Sequence, residues 1–206
     1  MRVSVHGVYD LITLKNLQDS GADAIGFDLR AQSLNLVPFH VLKTLIPFFK
    51  LHQNYLAFEN DKESTINSFL DLLGDDSQKF TLQLRDEKYD PKFGTIKADM
   101  AWFYHPEGDW EKILRVDSVK EIFLPLRFQE DYSKNKKLWS IINERELFVH
   151  LHTQSASDFD IIHNQKNLSL SFDLGPEVED SFRTINQGKL SALKLWRGKY
   201  ETAAGQ

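Results

Sequence analysis

Short apolar or alternating runs, separated by segments of helical periodicity, recur along the whole 206-residue chain and leave few folds open to it. The strand candidates are 2–6, 23–28, 54–59, 79–85, 99–104, 120–126, 146–152, 167–173 and 190–196. Between them lie amphipathic patterns such as Leu11, Ile12, Leu14, Leu17 and Ile66, Phe69, Leu70, Leu73. Unbroken strand–helix alternation argues for a parallel sheet covered by helices. The run LSLSFD at 168–173 sets Leu168, Leu170 and Phe172 on one face and Ser169, Ser171 and Asp173 on the other. A barrel uses the first kind of face against its helices and the second inside, towards a ligand mouth. The expectation is one domain over 1–206, a (β/α)8 barrel. Nine candidates compete for eight places, so the segment 75–98, where DDS and DPKFG bracket FTLQLR, is read as an insertion or a replaced βα unit.

Composition narrows the function classes. With 41% hydrophobic and 27% charged residues, the chain can bury a sizeable core. Twenty-five basic against 30 acidic residues give a formal charge of −5. The densest basic cluster, Lys134, Lys136 and Lys137, reads as the solvated start of a helix. No basic stripe tracks a phosphate backbone, so nucleic acid is not an expected partner. The absence of cysteine excludes disulfides and thiolate chemistry. The N-terminus MRVSV lacks the apolar run of a signal peptide, and the apolar stretch at 41–51 is interrupted by Lys43, Thr44, Pro47 and Lys50. No membrane span is expected, and a cytoplasmic location is.

Several segments carry a more specific signal. GADAIGF at 21–27 resembles the second-strand motif of phosphoribosylanthranilate isomerases, and VSVHGV at 3–8 resembles that family's first-strand VKICGI. Ser33, Val37 and Pro38 fit its loop into the second helix. LSLSFDLGPE at 168–177 is similar to the seventh strand and helix start, LVLSGGLNPE, and ALKLWRG followed by ETAAG at 192–205 to the eighth-strand ending. The segment 101–113 can be laid on the fourth strand, with His105 on the family's LHG histidine. The segment 147–153 fits the sixth strand, ILLDT, with His152 on the aspartate.

The resemblance implies a TIM barrel and, where activity is kept, an intramolecular aldose–ketose isomerisation in tryptophan biosynthesis, acting on a phosphorylated small molecule without a cofactor. That reaction needs one group to protonate the furanose oxygen and another to remove the C2 proton. The family's acid is an aspartate and its base a cysteine; here those positions carry His152 and His6. Asn35 replaces the arginine after the second strand. Phe172 and Asp173 stand where the phosphate-binding Gly-Gly is expected, which sets a negative charge beside a phosphate. Trp196 and Arg197 replace the serines of SSG, and Gly198 is kept. The candidate set is therefore His6 and His152 as catalytic groups, with Asn35, His105, Arg127, Asp173, Gly175, Lys194, Arg197 and Gly198 around a substrate.

So many replacements point to a diverged barrel without the standard isomerase activity, serving as a binding or scaffold barrel or as an enzyme of changed specificity. Its mouth is expected to be blocked by Trp196 and Phe172. The alternative is an active isomerase using His6 as base and His152 as acid. A further alternative is a metal-dependent lyase or epimerase on His6, His105, His152 and Asp173, although spacing across separate strands is weak evidence for a ligand set and no metal is called for. Lys194, if inward, pairs with Asp173 or Asp28 more readily than it forms a Schiff base. The chain ends at Gln206 before the family's final helix, and the apolar flank this leaves is expected to be covered by a second copy in a homodimer.

Overall fold

A computed structural model describes residues 2–51, 53–125, 135–153, 168–175, 178–181, 183–186 and 188–189. Eight parallel strands close into a barrel: β1 Arg2–His6, β2 Ala24–Asp28, β3 Gln53–Phe58, β4 Phe80–Leu84, β5 Met100–Phe103, β6 Val119–Pro125, β7 Phe148–Thr153 and β8 Leu168–Asp173. β1 pairs with β2 on one side (His6 opposite Gly26) and with β8 on the other (His6 opposite Asp173), which completes the ring. A two-stranded antiparallel sheet, β9 Glu179–Ser181 and β10 Thr184–Ile185, follows β8. The helices described are α1 Leu11–Ser20, α2 Phe39–Leu45, α3 Glu63–Leu73, α4 Trp110–Ile113 and α5 Lys136–Glu144.

Three sequence expectations are corrected, two on the strands and one on Phe172. The segment 75–98 is not an insertion beside the barrel, because it supplies β4, in register between β3 (Leu56 with Leu82) and β5 (Leu82 with Met100). The strands carrying His105, His152 and Asp173 are therefore the fifth, seventh and eighth of the ring, each one place later than the resemblance assigned. The ninth candidate, 190–196, lies outside the described residues.

Local chemistry explains the elements. Asp10 caps α1 by accepting from the Thr13 backbone N–H at 2.7 Å, and Gly21 ends the helix at φ 90°, a left-handed conformation that glycine adopts without a Cβ penalty. All five residues of β2 are buried, as expected of a parallel strand covered on both faces. Alternation then sorts the side chains into two shells. Val3, Val5, Ile25, Phe27, Leu82, Leu84, Trp102, Ile122, Leu124, Val149, Leu151, Leu170 and Phe172 join one large cluster with the helices. A separate inner cluster holds Ala24, Tyr55, Ala101 and Phe123, with Phe103 against it. Trp102, Phe103 and Tyr104 divide between the shells as period-two alternation requires. Phe172 is in the outer shell, so it does not block the mouth as expected; Trp196 lies outside the described residues.

Candidate functional site

The C-terminal ends of the strands bring together four of the predicted side chains and two arginines. His6, at the end of β1, is 3% exposed. Its ring sits 5.3 Å from Tyr55, tilted, and 5.3 Å from Phe123, edge-on. Neither ring nitrogen has a hydrogen-bond partner among the described residues. Burial pushes the imidazole well below its ordinary pKa against the pull of Asp173, so it is neutral near pH 7. Room for the ring comes from Gly26 on the neighbouring strand: a Cβ there would stand 2.1 Å from His6 Nδ1.

His152, on β7, places Nδ1 3.1 Å from Ser171 Oγ and Nε2 3.7 Å from Asp173 Oδ2. Its ring meets Phe103 edge-on at 5.1 Å. Burial takes its pKa down to about 4 even though Asp173 acts to raise it. Asp173 ends β8 and accepts from Arg85 Nη2 at 3.2 Å. Burial alone would raise this carboxyl, but Arg85, His152 and His6 outweigh it and hold it at about 2. The outer edge of Asp173 is open, with 42% of the side chain exposed, whereas Arg85 lies beneath at 11%.

Arg85 follows β4 and is fixed twice. Its guanidinium lies 4.7 Å over the Phe103 ring, and its backbone carbonyl accepts from His105 Nε2 at 2.8 Å, which assigns that proton to Nε2. Arg30, beyond β2, forms a bidentate pair with Asp28 (2.8 and 2.6 Å) and approaches Glu59 at 3.6 Å. Both described arginines of the mouth therefore already hold carboxylates of the chain.

Below this layer the barrel is closed by a polar network. Glu121 accepts from Tyr55 Oη at 2.6 Å, His150 Nε2 at 2.7 Å and Gln53 Nε2 at 2.7 Å. Burial, reinforced by Glu121, keeps the Tyr55 phenol well above its ordinary pKa. Burial lowers His150, which is neutral and makes a hydrogen bond here, not an ion pair. Although His150 and His152 share a face, His150 belongs to this lower network and only His152 reaches the mouth.

The remaining candidates divide. Asn35 Nδ2 would stand 2.8 Å from a Cβ added to Gly7, whose φ is 88°, and its buried Oδ1 has no hydrogen-bond partner among the described residues, so it packs on the turn after His6. The Gly175 carbonyl accepts from the N–H groups of Val178 and Glu179, forming a turn just past Asp173. Arg127, Lys194, Arg197 and Gly198 lie outside the described residues. Sequence reasoning missed Arg85, Arg30 and Gly26. Among the described residues no three His, Asp or Glu groups are arranged to hold a metal ion, and no helix is long and apolar enough to cross a membrane.

These features define an eight-stranded α/β barrel with a histidine-lined, ion-paired mouth at the strand ends where such barrels keep their chemistry. Its fold is that of phosphoribosylanthranilate isomerases. The enzyme from Thermus thermophilus superposes with a TM-score of 0.71 at 15% identity, covering 97% of this chain and 100% of that one. A phosphoribosylanthranilate isomerase bound to reduced 1-(o-carboxyphenylamino)-1-deoxyribulose 5-phosphate gives 0.69 at 16%, covering 96% and 99%. Monomers generated from the dimeric Thermotoga maritima enzyme give 0.68 at 17%, also covering 96% and 99%. No protein-family model matches the sequence, and no curated protein does.

Proposed function

We propose that this chain is a phosphoribosylanthranilate-isomerase-like barrel that does not carry out the Amadori rearrangement and serves as a binding or scaffold barrel, or acts on a different ligand. The observation that carries the reading is the Arg85–Asp173 pair across the mouth. A phosphate approaching there would meet a carboxylate held ionised, and the like charges repel at short range. The acid role also fares poorly. With a pKa of about 4, His152 is protonated in roughly one molecule in a thousand at pH 7.

A second reading, an active isomerase of tryptophan biosynthesis, draws support from His6. A neutral imidazole with no hydrogen bond among the described residues leaves one ring lone pair open to a proton, while the burial that keeps it neutral also weakens it as a base. Turnover of phosphoribosylanthranilate by the purified chain separates the two. No turnover above background is expected. Turnover that disappears in His6→Ala and His152→Ala, with folding intact, would replace the first reading by the second. A homodimer, the state named for the Thermotoga maritima protein, is proposed for this chain and is read by sedimentation.

A further inference from the structure

We propose that the barrel mouth is an oxyanion site occupied by the chain's own carboxylate, so that Asp173 decides which ligands the mouth refuses and its removal uncovers a receptor for phosphate. The inference rests on the reading above, in which the unmodified mouth takes no phosphorylated ligand.

The receptor half is already built. The Arg85 guanidinium lies 4.7 Å over the Phe103 ring and His105 ties down its backbone carbonyl, so both ends of the residue already have a fixed neighbour before an anion arrives. Its Nε–H is buried and has no hydrogen-bond partner among the described residues, a donor that the Nη2 bond to Asp173 leaves unused. A planar guanidinium with a spare donor suits a tetrahedral oxyanion better than one carboxylate oxygen at 3.2 Å. His152 Nε2, 3.7 Å from the other Asp173 oxygen, adds a polar group on the far side. The occupying group is the more exposed member: 42% of the Asp173 side chain is open to solvent against 11% for Arg85. An internal anion of this kind excludes external ones by charge and by volume.

The test is thermal melting of the full chain in inorganic phosphate against chloride at matched ionic strength. The unmodified chain is expected to show only the shallow, unsaturating rise that excluded phosphate gives any fold. Asp173→Ala is expected to gain a saturable, phosphate-specific rise, corresponding to at least about tenfold tighter binding than the unmodified chain. The double variant Asp173→Ala, Arg85→Gln is expected to lose it. Should Asp173→Ala fail to fold, Asp173→Asn keeps the shape, removes the charge and is judged by the same criterion. A folded neutral variant without a phosphate-specific rise overturns the inference, as does a rise that survives loss of Arg85. Saturable phosphate binding by the unmodified chain strikes instead at the reading beneath it, and the inference falls with it only if Asp173→Ala binds no tighter.

Discussion

Gly26→Ala is the perturbation most closely determined by the geometry. The added methyl carbon would lie 2.1 Å from His6 Nδ1, 2.8 Å from Cγ and 3.0 Å from Cε1. Ordinary carbon contacts sit at about 3.5–4.0 Å, so one partner must move by more than about 1 Å. His6 is boxed in by Tyr55 and Phe123, and β2 is pinned because the Gly26 carbonyl accepts from both Gly7 and Val8. Overpacking of this kind costs about 1–3 kcal/mol, and the upper end applies where neither side can yield. Replacing a strand glycine returns about 0.5–1 kcal/mol of unfolded-state entropy, for a net loss of about 2 kcal/mol. For a chain of this size that is a fall in Tm of about 4–8 °C. A double-mutant cycle isolates the cause. In a His6→Ala background the methyl enters vacated space, so the same substitution is expected to be neutral or slightly stabilising, a coupling of about 2 kcal/mol. The reasoning fails if Gly26→Ala melts within about 1 °C of the unmodified chain, or if it loses as much without the imidazole as with it.

Other outcomes follow from the same interior. Tyr55→Phe removes the O–H donor to Glu121 and is expected to destabilise by about 2 kcal/mol, read from the denaturant midpoint. Acid should weaken the fold in two windows. His6, His150 and His152 all have lowered pKa values, so the unfolded chain binds more protons below about pH 6.5, and stability falls from there towards pH 4. Asp173, depressed to about 2, contributes stability above about pH 4 that is lost as pH falls to 2. Asp86, raised by burial to about 6, has the opposite sign between about pH 4 and 6 and offsets one histidine. A denaturation midpoint that stays flat from pH 7 to 5 would contradict the buried neutral histidines. Arg85→Gln is expected to lower stability by under about 1 kcal/mol, because the Asp173 side of the pair is open to solvent, and to raise the Asp173 titration seen by NMR.

The fold was largely legible because parallel strands leave a strong alternation. The eight candidates from 2–6 to 167–173 all correspond to barrel strands, and the inward serines and Asp173 of β8 follow from a pattern visible in LSLSFD. Strand numbering failed at β4, where the flanking Asp, Ser, Pro and Gly residues suggested an insertion and concealed the alternation of FTLQLR. That misplacement also hid Arg85, whose inward position follows once Gln83 is placed inside. His6, His105, His152 and Asp173 were found through the resemblance. Their partners were not, because Arg85 and Asp173 are 88 residues apart in sequence, and Glu121 meets Tyr55 across 66. Such pairings depend on ring closure and register, which no local spacing encodes. Gly26 was read as part of a motif, yet its local role is to leave space for His6, which appears only when β1 and β2 are side by side.

The proposed function requires a mouth closed to phosphorylated ligands by the chain's own ion pair. Calorimetric titration of the unmodified chain with reduced 1-(o-carboxyphenylamino)-1-deoxyribulose 5-phosphate, the ligand bound by a protein of the same fold, tests this most directly. No saturable heat is the result expected. Saturable one-to-one binding, weakened by Arg85→Gln, would mean that Asp173 gives way to the ligand and would contradict the central claim.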